Sequence, residues 1–232
     1  MEQFERTINL IGKENFDKIY NSNIIIFGVG GVGGYVLEML TRCGVNNITI
    51  VDFDTINITN LNRQIISLHS NIGEYKVDAF YKRVKDINPN VNLIVIKEKL
   101  TKDNIESFNL SKFDYVLDCI DSYKDKLCLI EYCYKNNIKI ISSMSAGNRY
   151  KVTKYVITDI FKTKNDAMAR KLRLDLKKLG VKKLTVCYTD SLSDNINLKN
   201  RVLSISYNVA LCGTTISQYV INKIIETNQI CN

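Results

Sequence analysis

The sequence predicts an α/β protein of Rossmann-like form: a mostly parallel sheet with helices on both faces and an antiparallel extension in the C-terminal third. Three observations predict it. Short β-branched runs alternate with longer segments of helical spacing, a glycine-rich turn joins the first such strand to the first such helix, and the strands read as continuous apolar runs rather than alternating ones. Continuous apolar strands belong to sheets covered on both faces. A chain of 232 residues, 45% of them hydrophobic, suits one well-buried domain over residues 1–232 and is too short for two large ones.

Taken in order, residues 23–28 read as a buried strand and residues 32–43 as a helix opened by glycines. "NNITIVDFD" is a second strand ending in acids, which completes a βαβ unit. "GEYKVDAFYKRVKDI" has helical spacing and stops before Pro89, the only proline, because the residue preceding a proline is pushed out of the helical region. Then follow "VNLIVIKE" (strand), "TKDNIESFNL" (short helix with Thr101 as N-cap), "FDYVLDCID" (strand), "SYKDKLCLIEYCYKNN" (helix) and "IKIISSMSAG" (strand). In the final third, "KYVITDI", "KKLTVCYTDS" and "RVLSIS" read as strands, 163–178 as a basic helix and 207–226 as a closing helix.

Composition narrows the class. The N-terminal sequence has neither the apolar core nor the cleavage site of a secretion signal, and no window holds 18 uninterrupted apolar residues, so neither export nor a membrane span is expected. Seven scattered cysteines (Cys43, Cys119, Cys128, Cys133, Cys187, Cys212, Cys231) without a CxxC pair suit reduced thiols in a cytoplasmic protein, and no zinc is expected. The net charge is +8, yet from Arg149 to Lys183 alone 12 Lys and Arg stand against 3 Asp and Glu. That segment is either a solvated helix face or a footprint for a polyanion.

The chemistry-bearing residues cluster at strand ends. Gly28, Gly30 and Gly33, with Gly31 and Gly34 beside them, meet the GxGxxG pattern, which lets backbone N–H groups and a helix N-terminus approach a phosphate. Asp52 stands 24 residues after Gly28, where a carboxylate can accept from ribose hydroxyls. To this point an NAD-dependent oxidoreductase is equally supported. Next come Asn60, Arg63 and Gln64, then Lys76 opening a helix; two cations exceed what a pyrophosphate diester needs and suit a triphosphate under attack. Either cation alone is equally consistent with a surface charge. "DCID" ends a strand with Asp118 and Asp121, and a carboxylate there either holds Mg²⁺ or, with Ser122, caps the next helix.

The order GxGGxG, D-x-D (Asp52, Asp54), N-x-N-R-Q, a helix lysine and D-x-x-D resembles the ThiF-like adenylating enzymes related to ubiquitin activation. Within that superfamily, "FERTINLIGKENFDKI", "TNLNRQIISL", "INPN", "DCIDSYKDKLCLIEYC", "IISSMSAGN" and "TDIFKT" resemble the tRNA threonylcarbamoyladenosine dehydratases across nearly the whole chain. The resemblance implies ATP-dependent adenylation of the modification's carboxylate and its cyclisation with loss of water, in a homodimer that acts on tRNA and has tRNA-modification or sulfur-transfer proteins as further partners. It implies that Asp52 binds the ribose, that Asn60, Arg63, Gln64 and Lys76 line the phosphates, that Asp54 and Ser122 also bind the nucleotide, and that Asp121 holds Mg²⁺. It also implies that Arg6, on an N-terminal helical arm over residues 1–22, reaches the partner's ATP site. The polyanion is then tRNA, with Arg149, Arg170, Arg173 and Lys177 as candidate contacts. The chain departs from the subgroup at Ser145 and Arg149, where glycine and lysine are common.

Three rival readings are distinguishable. An activator of a small sulfur-carrier protein would adenylate a C-terminal glycine; the missing CxxC pairs and the basic segment argue against it. Arg63 and Lys76 weigh against an NAD-dependent oxidoreductase, and the intact phosphate-contacting set weighs against a non-catalytic RNA-binding module. Cys187 reads as a packed strand residue and His69, with no acidic or thiol neighbour in sequence, as part of a loop.

Overall fold

The computed structural model describes residues 2–152, 154–193 and 202–226. They form a seven-stranded sheet in the order β3-β2-β1-β4-β5-β7-β6. The strands are β1 (Asn23–Phe27), β2 (Asn47–Val51), β3 (Asn92–Ile96), β4 (Tyr115–Asp118), β5 (Ile140–Ser143), β6 (Val156–Asp159) and β7 (Thr185–Tyr188). All neighbours pair in parallel except β6 and β7, which are antiparallel, so the expected extension lies at that edge. The helices are α1 (Glu5–Ile11), α2 (Lys13–Asn21), α3 (Gly31–Cys43), α4 (Lys76–Ile87), α5 (Tyr123–Lys135), α6 (Ala167–Lys178) and α7 (Ser206–Glu226).

The continuous apolar strands have the expected consequence. Ile24 and Ile26 of β1 pack with Val36, Leu37 and Leu40 of α3, Phe80 of α4 and Ile216 of α7, whereas Ile25 and Phe27 point the other way, toward Phe108 and Leu129. Side chains of one strand alternate between faces, so a strand apolar at every position needs cover on both. A third cluster, with Leu172 and Leu176 of α6 against Ile130, Val186 and Tyr188, seats the basic helix beside α5.

Two expected elements differ. Residues 202–205 of "RVLSIS" form no strand; they lead into α7, and Leu203 pairs instead with Asn148, whose side chain accepts from the Leu203 N–H at 2.8 Å and whose N–H reaches the Leu203 carbonyl at 2.7 Å. Asn148 has φ 56°, a left-handed turn conformation that asparagine tolerates and a sheet edge does not use. Thr101 is no N-cap: its N–H and hydroxyl both point to Asn104 Oδ1, and the segment makes only short 3₁₀ turns (Ile105–Phe108, Leu110–Lys112), interrupted at Asn109 with φ 47°.

Candidate active site

Strand order reverses between β1 and β4, the position at which open α/β sheets bind ligands beyond their carboxyl ends. A crevice of about 540 Å³ opens there, walled by the glycine turn after β1, the acids after β2, the Cys119–Ser122 turn after β4 and the Ser143–Gly147 segment after β5.

The glycine turn is made for close approach. Gly28 has φ 82°, and a Cβ there would stand 2.8 Å from the Cys119 carbonyl oxygen; a Cβ on Gly33 would collide with the Gly28 carbonyl. Gly33 therefore serves packing, while Gly28, Gly30 and Gly31 line the crevice. No side chain caps α3 at Gly30, so the N–H groups of its first turn remain available to an anion.

Asp52 sits at the rim and does two jobs. Its Oδ2 accepts from the Val29 N–H at 2.8 Å and its Oδ1 from the Asp54 N–H at 2.9 Å, which ties the glycine turn to the end of β2. Burial raises its pKa above the ordinary aspartate value, although Lys76 and the two amide donors pull the other way. Lys76, first residue of α4 and almost wholly buried, forms an ion pair with Asp54 at 2.7 Å. Arg63 reaches the Thr59 carbonyl at 2.8 Å and Asn62 Oδ1 at 3.0 Å, and lines the crevice. Gln64 is buried beside Gly30 and its Oε1 accepts no hydrogen bond among the described residues, an orphaned acceptor of the kind a ligand donor satisfies.

Asp121 and Ser122 both line the crevice. Ser122 occupies the N-cap position of α5 without a side-chain cap bond, so capping does not consume these residues. The other acids of the wall are occupied: Asp54 by Lys76, Glu98 by Asn104 at 3.4 Å, Asp125 by Lys99 at 3.4 Å. Asp121 is exposed and makes no hydrogen bond or ion pair among the described residues. A free carboxylate beside a phosphate cradle fits a hard cation that also takes phosphate oxygens.

Some expected residues lie elsewhere. Asn60 stands outside the wall, its Oδ1 accepting from the Asn57 N–H at 3.0 Å in a capping box. Arg6 is exposed on α1 and does not line its own chain's crevice. Arg149 does not face a polyanion at all. It is buried, and its guanidinium donates to the carbonyls of Ser191 (2.9 Å), Ser145 (2.9 Å) and Asn165 (2.8 Å), with Asp166 at 3.7 Å. It draws the loops that carry these carbonyls together, and a five-donor guanidinium satisfies several of them at once. Arg170 and Lys177 are exposed on α6, but Arg173 turns inward to Thr163. Cys187 is fully buried against Cys212, as a packed strand residue, and His69 is exposed in a short turn.

Sequence reasoning missed a buried ion pair on the crevice floor, between Lys126 and Asp118 at 2.8 Å. The spacing of eight residues crosses a strand end and a turn, so no helical or strand period advertises it. It also missed the apolar side of the crevice, where Met144 and Ala146, Met168, and Val202 and Val209 converge from three distant segments.

The ThiF family profile matches residues 4–231. The chain is 41% identical over 191 residues to a Bacillus subtilis tRNA threonylcarbamoyladenosine dehydratase, which covers 82% of this chain and 75% of that one. It is 36% identical over 176 residues to the Escherichia coli protein of the same name, covering 76% and 66%. The fold superimposes on the crystal structure of the E. coli enzyme in complex with ATP with a TM-score of 0.90 and 29% identity, covering 97% of this chain and 94% of that one.

Proposed function

The chain belongs to the ThiF family, and from that premise we propose that it dehydrates threonylcarbamoyladenosine in tRNA by ATP-dependent adenylation. The observation that carries the reading is the crevice at the β1–β4 switch point, where an uncapped helix N-terminus, Arg63, the orphaned Gln64 and buried Lys76 converge in a fold like that of the E. coli dehydratase solved with ATP.

A carboxylate is a poor electrophile until its oxygen joins a phosphoanhydride. The substrate's carboxylate attacks the α-phosphorus, pyrophosphate leaves, and a nucleophile already on the modification closes the ring as AMP departs, with net loss of water. No protein nucleophile is needed, so the chain's work is positioning and charge stabilisation. Asp52 accepts from the ribose, the α3 N-terminus and the Gln64 amide N–H groups hold phosphate oxygens while Gln64 Oε1 stays open to a nucleotide donor, and Arg63 and Lys76 offset the charge that grows on the leaving pyrophosphate. Asp121 would hold Mg²⁺, which would supply positive charge against the triphosphate. Arg6, exposed on the N-terminal arm, completes the partner's site in a homodimer, and the exposed cations of α6 meet the tRNA backbone. No helix among the described residues is long and apolar enough to cross a membrane; a cytoplasmic setting agrees with the unpaired thiols.

The test supplies ATP and Mg²⁺ with either modified tRNA or a carrier protein ending in Gly-Gly, and follows pyrophosphate and the mass of the tRNA nucleoside. Loss of one water from the nucleoside is expected. Pyrophosphate release that needs the carrier while tRNA stays inert would show the activator of a sulfur carrier instead.

A further inference from the structure

Two aspartates follow one another at the end of β4, three residues apart, in opposite circumstances. Asp118 is 0% exposed and saturated: Oδ2 accepts from Lys126 Nζ at 2.8 Å and from Ser142 Oγ at 2.5 Å, and Oδ1 from the Ile120 N–H at 3.1 Å. Lys126 Nζ also donates to Ser142 Oγ at 3.2 Å. Asp121 faces the crevice with no partner among the described residues.

A buried lysine–aspartate pair is expensive to desolvate and stabilises a fold no better than apolar side chains of the same size. Its place here suggests a use, because Lys126 borders the same crevice as Asp121. Resting on the ATP-dependent reading above, we infer that Lys126 is a positioning residue that keeps Asp118 away from the cation and leaves Asp121 as its single protein carboxylate. The consequence is chemical. One carboxylate holds a divalent cation only weakly, so the cation enters with the triphosphate, whose oxygens complete its shell. With Asp118 released, two carboxylates from one turn would hold a cation before any nucleotide arrived, and the charge meant for the phosphates would be spent. The Ile120 N–H bond to Asp118 adds a second effect, since it sets the turn from which Asp121 projects.

The experiment titrates Mn²⁺ by electron paramagnetic resonance into the full chain, with and without α,β-methylene-ATP, for the unaltered protein and for Asp118→Asn, Asp121→Asn and Lys126→Gln. Glutamine removes the charge and, one bond shorter than lysine, no longer reaches Asp118 as the ammonium does. Asp121→Asn should weaken Mn²⁺ binding in the presence of the analogue roughly tenfold or more, and Asp118→Asn should leave it unchanged. Lys126→Gln should gain a nucleotide-free Mn²⁺ site that the unaltered protein lacks and that Asp118→Asn/Lys126→Gln loses again. The inference is overturned if Asp118→Asn weakens binding as Asp121→Asn does, if Asp121→Asn has no effect, or if folded Lys126→Gln shows no nucleotide-free site. Should Lys126→Gln fail to fold by circular dichroism, the comparison of the two aspartate variants decides. No tRNA enters the titration, so failure of the substrate assignment is read separately.

Discussion

At the scale of single residues, the site separates side chains that line the crevice from those that hold its walls together. Arg63→Ala and Lys76→Ala should each abolish ATP–pyrophosphate exchange; thermal melts should show the Arg63 variant folded as before, since that side chain makes only local bonds. Survival of exchange in both would remove the phosphate assignment. Asp52 yields a pH prediction. Its pKa is raised by burial, so the folded state holds this proton more tightly than the unfolded chain does, and its contribution to stability is lost as pH rises from the ordinary aspartate range through the raised value. On the proposed ribose contact, the ionised form is the stronger acceptor for the hydroxyls. ATP affinity should therefore fall on acidification at a pH above the ordinary aspartate range, and Asp52→Asn should flatten the profile; calorimetric titrations across pH read it. Arg149→Ala should lower stability by about 1–3 kcal/mol, because it removes charge-assisted hydrogen bonds to three loop carbonyls, seen in urea melts.

Elements are placed by a few close approaches. α7 crosses α3 at Gly213, where a Cβ would stand 2.7 Å from the Val32 carbonyl oxygen and 2.8 Å from Tyr35 Cβ. Gly213→Ala must push the helices apart and should destabilise by about 1–3 kcal/mol, measured by chemical denaturation. Because Val32 and Val209 both line the crevice, ATP affinity should fall with it. On the same face Glu38 of α3 is nearly fully buried and bridges to Arg42 at 2.8 Å and to Arg83 of α4 at 2.8 Å. Burial alone would raise its pKa, but Arg83 and Arg42 bring it below the ordinary glutamate value. A lowered value adds stability above the unfolded pKa that is lost as pH falls through the folded one. Most element types were legible because the strand runs and helical periods are long. Segment 202–205 was misread because β-branched residues suit an extended loop as well as a strand.

Over the whole molecule, charge is segregated: the basic segment sits on α6 and its flanking loops, beside the crevice that Met168 of α6 helps to line. Binding of tRNA should weaken steeply with salt, and Arg170→Glu/Lys177→Glu should reduce the logarithmic salt slope by about 0.7–0.9 for each phosphate no longer neutralised, while ATP affinity changes little. Filter binding at several salt concentrations checks this; an unchanged slope would remove α6 from the interface. The sequence by itself determined the Rossmann-like alternation, the phosphate turn and the acids and cations that follow it, because these depend on local periodicity and on residues close in the chain. Only the tertiary structure decided which of them share a space. It turned Arg149 from a surface cation into a buried clamp, withdrew Asn60 and Gly33 from the crevice wall, and divided Asp118 from Asp121 through Lys126. The physical reason is that a charge has no fixed role along a chain: burial and the partner brought to it across the fold decide whether it holds the protein together or remains free for a ligand.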